Sequence, residues 1–85
     1  MININIYSFN CKGFYTKYFN LLKLISTTNL GIWNIQEIKV NIKSNSFNNF
    51  KKHLKEYVIL FPKIINNKCD LITLIPKCYL NNNII

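Results

Sequence analysis

Residues 32–39, IWNIQEIK, form the stretch around which the rest of the chain is arranged. Ile32, Trp33 and Ile35 are β-branched or aromatic, which is typical of a buried strand. That strand should end near Glu37, because an unpaired carboxylate is costly to bury. Two interpretations of Glu37 follow. It is a solvated strand end, or it is a metal ligand at the carboxyl end of a strand, where open α/β sheets gather their sites.

The composition of the 85-residue chain is that of a small folded protein. An apolar fraction of 49% excludes a disordered chain, and the length allows a single domain with a modest core. The net charge of +8 favours polyanionic partners over acidic proteins or neutral metabolites. Because Asn, Ile and Lys share A/T-rich codons, this charge is weaker support for a nucleic-acid partner than it would be in a chain of ordinary composition.

The cysteines and the N-terminus bear on the cellular compartment. Cys11, Cys69 and Cys78 have neither zinc-site spacing nor the even number of a disulfide framework, so we expect reduced packing thiols. We see no secretory signal and no apolar run long enough to cross a bilayer. These features predict an intracellular protein without a membrane partner, with the nucleus as one candidate location.

The first third of the chain predicts a strand, a helix and a second strand. Residues 2–9 alternate in polarity as a strand does, and residues 14–25 carry the three-and-four spacing of an amphipathic helix, with Thr16 as its N-cap. A βαβ unit of this kind places its two strands parallel. If the strands are neighbours, Asn10 and Glu37 lie side by side at one edge of the sheet.

A second helix is predicted after a polar loop at residues 40–46. It spans residues 46–57 with Ser46 as its N-cap, and its apolar stripe consists of Phe47, Phe50, Leu54 and Tyr57. We expect His53 to be a solvated residue of this helix rather than a ligand or base, because no Cys, Asp or second His is close to it in the sequence.

Two further strands complete the predicted fold. Residues 57–61 and 71–75 are expected to form an antiparallel pair joined by a longish loop, with Pro76 ending the second strand. No internal repeat or linker is visible. The sequence therefore predicts one domain over residues 1–80 and a polar tail at residues 81–85.

The order of these elements resembles the N-terminal part of the endonuclease/exonuclease/phosphatase superfamily, which includes apurinic/apyrimidinic and retrotransposon-type endonucleases, DNase I-like enzymes and inositol-phosphate phosphatases. The resemblance covers about residues 2–77, and the motifs that carry it are SFNCKG at 8–13, the Gln-Glu strand end at 32–39, YVILF at 57–61 and LITLIPK at 71–77. It implies an α/β (α+β) fold, β-α-β-α-β-β, with one mixed sheet and two helices as part of a DNase I-like sandwich.

The chain departs from the family pattern in several places. Phe9 replaces a usual Trp, Gly31 stands where an Asp is common, and Asp70 stands where a Gly is common. The family's domain is also much longer. Its remaining catalytic residues, a Tyr, an Asp-x-Asn pair, a further Asp and a late His, have no counterpart in this sequence. The chain therefore resembles an N-terminal fragment of such a domain.

The resemblance implies a catalytic and metal-binding role for two residues. Glu37 would bind Mg²⁺, with Mn²⁺ as the alternative cation, and Asn10 would orient the metal and the phosphate. Mg²⁺ commonly takes one or two carboxylates together with water and substrate phosphate. The implied activity is a metal-dependent phosphodiesterase or endonuclease acting on nucleic acid, with DNA as the first candidate. Because the family's water-activating His and Asp are missing, we expect residues 1–85 alone to show little or no hydrolysis.

Two alternatives remain open at this stage. One is a small basic module that binds nucleic acid without chemistry, through exposed aromatics and the face formed by Lys51, Lys52 and Lys55. Its DNA binding would depend on salt and would be unaffected by Glu37→Ala. The other is a non-functional remnant, which would melt without cooperativity. The sequence indicates no oligomeric state, although a fragment of a sandwich would expose strand edges and apolar faces.

Overall fold

A computed structural model describes residues 4–81 of the chain. The helices and strands are, in order, β1 (Ile6–Asn10), α1 (Phe14–Thr27), β2 (Ile32–Gln36), β3 (Val40–Asn41), α2 (Asn45–Lys52), β4 (Tyr57–Leu60), β5 (Lys68–Cys69), β6 (Ile72–Pro76) and α3 (Lys77–Asn81). The described chain is thus an α+β unit with a mixed sheet and three helices, where two helices were expected.

The main sheet has four strands in the order β1-β2-β6-β4. β1 and β2 are parallel neighbours, with Ile6 opposite Ile32 and Asn10 opposite Gln36, so the predicted βαβ arrangement is confirmed. β6 runs antiparallel to both β2 and β4. The predicted antiparallel pairing of the last two long strands is also confirmed, and the sheet is mixed as expected.

Both predicted N-caps are wrong, for local reasons. α2 begins at Asn45 because Ser44, rather than Ser46, caps it: the Phe47 N–H donates to the Ser44 Oγ at 3.2 Å. α1 begins at Phe14 directly after Gly13, so Thr16 lies inside its first turn. There the Thr16 hydroxyl donates to the Gly13 carbonyl at 3.5 Å instead of capping the helix.

Three short elements were not predicted. β3 pairs antiparallel with β5 and occupies the start of the predicted loop at residues 40–46. α3 begins directly after Pro76, which is the last residue of β6. α3 is held by Tyr79, which is buried and whose hydroxyl donates to the Leu30 carbonyl at 3.2 Å. Of the predicted tail at residues 81–85, only Asn81 is described, and it belongs to α3. Residues 2 and 3 of the predicted first strand also lie outside the described residues.

The core lies between one face of the main sheet and the helices α1 and α2. Its fully buried side chains include Ile35, Ile72, Leu74, Phe14, Leu21, Phe47 and Phe50. The predicted stripe of α2 is confirmed at Phe47 and Phe50, which are both buried. The predicted helix end is wrong, because α2 ends at Lys52; Leu54 is buried in the turn that follows, and Tyr57 begins β4. Phe14 is at the centre of the aromatic packing, with ring centroids 5.1 Å from Phe50 and 5.7 Å from Phe47.

Candidate metal site

The two predicted site residues lie together at the carboxyl edge of the two parallel strands. β1 ends at Asn10, which is opposite Gln36 at the end of β2, and Glu37 follows directly. The Asn10 side-chain amide donates to the Glu37 carboxylate through Nδ2 and Oε2. Both side chains are exposed. The structure therefore brings together the amide and the carboxylate that the sequence predicts to converge.

Backbone hydrogen bonds join the two loops that carry these side chains. The Gly13 N–H donates to the Glu37 carbonyl at 3.0 Å, and the Phe14 N–H donates to the Ile38 carbonyl at 2.8 Å. The Ile38 N–H donates in turn to the Asp70 carbonyl at 3.0 Å. These bonds fix the Cα positions from which the site side chains extend.

Glu37 has a backbone conformation that non-glycine residues rarely adopt. Its φ is 52°, in the left-handed region, and Lys39 two residues later has a φ of 48°. Such a conformation costs a residue with a Cβ about 1–2 kcal/mol. Residues held this way cluster at functional sites, where the surrounding structure imposes the geometry. Glu37 thus carries a local energetic cost at the position where a site is expected.

We expect Glu37→Gly to leave the free energy of unfolding unchanged or to raise it by up to about 1 kcal/mol, because glycine adopts a left-handed φ without a Cβ clash. Urea denaturation measures this change. Lys39→Gly is the matched control, since its φ lies in the same region. It should change the free energy of unfolding by the same amount as Glu37→Gly. A clear loss of stability in Glu37→Gly alone would show that the Glu37 side chain is needed to hold the two loops together.

Sequence reasoning missed the polar side chains that continue from the site along the sheet. The Gln36 side-chain amide donates to the Ser8 hydroxyl at 2.8 Å, and the Thr73 hydroxyl donates to the Asn34 side-chain oxygen at 3.0 Å. The register places these residues on the same face of the main sheet as Asn10. The alternation of β1 and β2 could have identified Ser8, Asn34 and Gln36, but the contact with Thr73 depends on the strand order.

The donor set at this edge is small but suits a hard divalent cation. Glu37 supplies carboxylate oxygens, and the Asn10 amide also has a carbonyl oxygen, Oδ1. Mg²⁺ accepts such oxygen donors and is often held by one or two carboxylates while it keeps several waters. Among residues 4–81, no three His, Cys, Asp or Glu side chains form a cluster that could hold a metal by themselves. Glu37 is the one carboxylate of the pair, so a cation at this edge would take its other ligands from Asn10, water and phosphate.

His53 lies at the opposite end of the sheet from Glu37. It is exposed and ends α2, and the chain then leads into β4 at Tyr57. Tyr57 is opposite Pro76, at the edge of the sheet where β1 and β2 begin. His53 is exposed as expected, but it caps the C-terminus of α2 instead of lying within the helix, and it is remote from the Glu37 carboxylate.

The three cysteines are free, and the expectation of packing thiols is confirmed for Cys11 and Cys69 but wrong for Cys78. Cys11 and Cys69 are buried, and Cys78 is exposed. Burial raises the pKa of the Cys11 thiol, although Lys17 acts in the opposite direction. Burial, with a further contribution from Asp70, also raises the pKa of the Cys69 thiol. Both buried thiols therefore stay protonated and poorly reactive at neutral pH.

A basic groove begins next to the candidate site. It has a volume of about 840 Å³, and its lining includes Lys39, Lys63, Lys68, Tyr15 and one acidic residue, Asp70. Lys39 is only two residues from Glu37. Tyr15 is 50% exposed, and its hydroxyl accepts a hydrogen bond from the Asn41 N–H at 3.1 Å. The groove therefore offers three cationic side chains and an accessible aromatic ring.

Comparison with known proteins identifies no relative: no family model, no curated protein and no solved structure matches this chain. Within residues 4–81, no helix is long and apolar enough to cross a membrane.

Proposed function

We propose that this chain carries the metal-binding half of a Mg²⁺-dependent phosphodiesterase site of the DNase I-like type, acting on nucleic acid. The observation that supports this most directly is the hydrogen bond between Asn10 and Glu37 at the carboxyl edge of two parallel strands. Ligand sites of open α/β sheets are found at this edge. The left-handed backbone of Glu37 is a second, independent feature that is typical of functional positions.

Each residue of the pair has a distinct role in the proposed site. The Glu37 carboxylate would bind the cation, which is Mg²⁺ or alternatively Mn²⁺. The Asn10 Nδ2 would hold that carboxylate in place, and its Oδ1 would help to orient the cation and the phosphate. A bound divalent ion supplies neutralisation of charge on the phosphate and on the leaving group. The pair would thus position the cation at the exposed carboxyl edge, where a phosphate can reach it.

The basic groove supports nucleic acid as the substrate class. Lys39, Lys63 and Lys68 can neutralise successive phosphates, and Tyr15 offers a surface for base stacking. A polymer with repeated phosphates matches this extended lining better than a single phosphorylated headgroup does. We propose DNA as the first candidate substrate, as for a retrotransposon-type or repair endonuclease.

Among residues 4–81, neither His53 nor Glu56 can activate water at the proposed site. His53 lies at the opposite end of the sheet, and Glu56 lines a different groove, beside the start of β4. Hydrolysis needs a positioned base as well as a metal. We therefore expect the purified chain to bind the cation while showing little or no cleavage of DNA.

The proposal predicts that Glu37→Gln weakens cation binding by about tenfold or more, because the substitution keeps the shape but removes the charged oxygen ligand. Titration with Mn²⁺, followed by paramagnetic broadening of backbone amide signals, measures both affinity and location. The wild-type chain should show broadening centred on Asn10 and Glu37.

Glu56→Gln is the matched control, since it makes the same chemical change at an acid outside the candidate site. It should bind Mn²⁺ as tightly as the wild type. Equal binding by Glu37→Gln and the wild type, or broadening centred on Glu56 or Asp70, would reject the proposed metal site.

A basic binding module without chemistry is the second candidate, and one surface favours it. Phe19 is 73% exposed beside a groove of about 740 Å³ whose lining includes Lys23, Lys52 and Lys55. Two members of the predicted lysine face thus lie on one rim with an exposed aromatic ring. Salt-dependent DNA binding that is lost in Phe19→Ala and kept in Glu37→Gln would favour this function over the phosphodiesterase.

A further inference from the structure

The main sheet has an open face, defined as the face that points away from α1 and α2. A row of β-branched residues crosses all four strands on this face. Ile6 lies opposite Ile32, and Val58 lies opposite Ile75. Extending the register of β2 and β6 by one residue places Ile32 beside Ile75. These four residues are the apolar row, and it lies at the end of the sheet remote from Glu37.

The described residues leave the apolar row accessible. Ile6 is 66% exposed, and Ile32, Val58 and Ile75 are only half-buried. None of the strand residues on the open face is buried, whereas Ile35 on the opposite face is completely buried. A contiguous apolar strip on an antiparallel or mixed sheet is normally packed against another layer. The row therefore has the character of a contact surface.

Charge is missing from the open face, although the chain is strongly basic. The chain has eleven lysines and three acidic residues, and none of them is among the outward-facing residues of the four strands. A surface that receives an acidic partner would carry some of these lysines. An uncharged face instead allows two chains of net charge +8 to approach without placing like charges in contact. The charge pattern thus favours a second copy as the occupant.

The polar side chains next to the apolar row are already paired with one another. Ser8 accepts from Gln36 at 2.8 Å, and Asn34 accepts from Thr73 at 3.0 Å. Covering a polar group is costly mainly when it loses its hydrogen-bond partner. Because these pairs lie within one chain, another layer can cover them without breaking them. The face is therefore suited to burial.

We propose that the open face is the contact surface between two copies of this chain, with the apolar row of one copy packed on the apolar row of the other. A twofold axis in the plane of the contact brings the same patch of each copy together, and a row of similar β-branched residues is self-complementary. Face-to-face sheets pack about 10 Å apart with strands within about 30° of each other. This inference does not depend on the proposed metal site.

The apolar row is short, which limits the strength of the contact, and it lies at a distance from the candidate metal site. Four strands spaced about 4.8 Å apart give a row only about 14 Å long, which is small beside a standard interface. We therefore expect a weak dimer that forms as concentration rises. Ile6 and Asn10 are separated by four residues of β1, or about 13 Å, so each copy keeps its candidate site at the far edge.

Sedimentation equilibrium over a range of protein concentrations tests the proposal. The average mass of the wild type should rise from 10.1 kDa toward twice that value. Ile6→Lys should remove this rise or move it to at least tenfold higher concentration. Because Ile6 is largely exposed on an edge strand, the fold should survive. The near-ultraviolet circular dichroism of Trp33 checks this.

Phe19→Lys is the matched control, because Phe19 is as exposed as Ile6 but lies on α1. It adds the same charge away from the open face and should associate as the wild type does. The proposal is overturned if the wild type stays monomeric at every concentration. It is equally overturned if Ile6→Lys associates unchanged, or if Phe19→Lys loses association to the same degree.

Discussion

Replacing Phe14 with alanine should lower the free energy of unfolding by about 3–5 kcal/mol, which is a typical cost for removing a buried phenyl ring. Phe14 is 0% exposed, and its ring contacts those of Tyr18, Phe47 and Phe50 at centroid distances of 5.3, 5.7 and 5.1 Å. The cavity would open where α1, α2 and the sheet meet. Since small domains are stable by only about 5–15 kcal/mol, this one substitution should remove much of the stability.

The substitution should also disturb the candidate metal site. Phe14 is the first residue of α1, and its N–H donates to the Ile38 carbonyl beside Glu37. Loss of the ring that anchors this residue would loosen the loops that carry Asn10 and Glu37. We therefore expect Phe14→Ala to weaken Mn²⁺ binding even under conditions where part of the chain stays folded.

Urea denaturation followed by circular dichroism and Trp33 fluorescence measures the effect of Phe14→Ala. Phe19→Ala is the matched control on the same helix, because Phe19 is 73% exposed, and it should change stability by less than about 0.5 kcal/mol. Similar small changes in both variants would contradict the packing around Phe14. A cooperative transition in the wild type would also argue against a non-functional remnant.

Replacing Gly31 with alanine should lower the free energy of unfolding by about 1–3 kcal/mol, the usual cost of forcing an extra methyl group into packed structure. A Cβ at this position would lie 2.6 Å from the Asn5 carbonyl oxygen and 2.6 Å from the Tyr7 ring. The Asn5 oxygen is held in place, since it accepts a hydrogen bond from the Ile32 N–H at 2.8 Å. Relief of the clash would therefore weaken the pairing of β1 with β2.

Denaturation of Gly31→Ala beside Leu30→Ala checks this expectation. Leu30 precedes Gly31 and is 39% exposed, so its truncation should cost less than the addition of one methyl group at Gly31. If Gly31→Ala were as stable as the wild type, β1 could not approach β2 as closely as described. The same contact explains why glycine stands at this position: there is no space for a side chain.

The sequence alone determined most of the helices and strands, and it determined that Asn10 and Glu37 converge. The stripe of α2 was predictable because Phe47 and Phe50 follow helical spacing. Asn10 and Glu37 were predictable as neighbours because the carboxyl ends of parallel strands in a βαβ unit meet at one edge. The helix caps were not predictable, because Ser44 and Ser46 lie two residues apart and offer the same hydroxyl, and only the path of the chain selects one.

Only the tertiary structure decided what surrounds Glu37. Periodicity assigns residues to the faces of a strand, but it does not give the strand order β1-β2-β6-β4 or the register between strands. That order places Ile32 beside Ile75 in the apolar row, and it leaves the row without a described layer above it. The left-handed φ of Glu37 likewise lies in a loop held by two backbone hydrogen bonds, from Gly13 to Glu37 and from Ile38 to Asp70. These are contacts between residues distant in the chain, and local pattern carries no information about them.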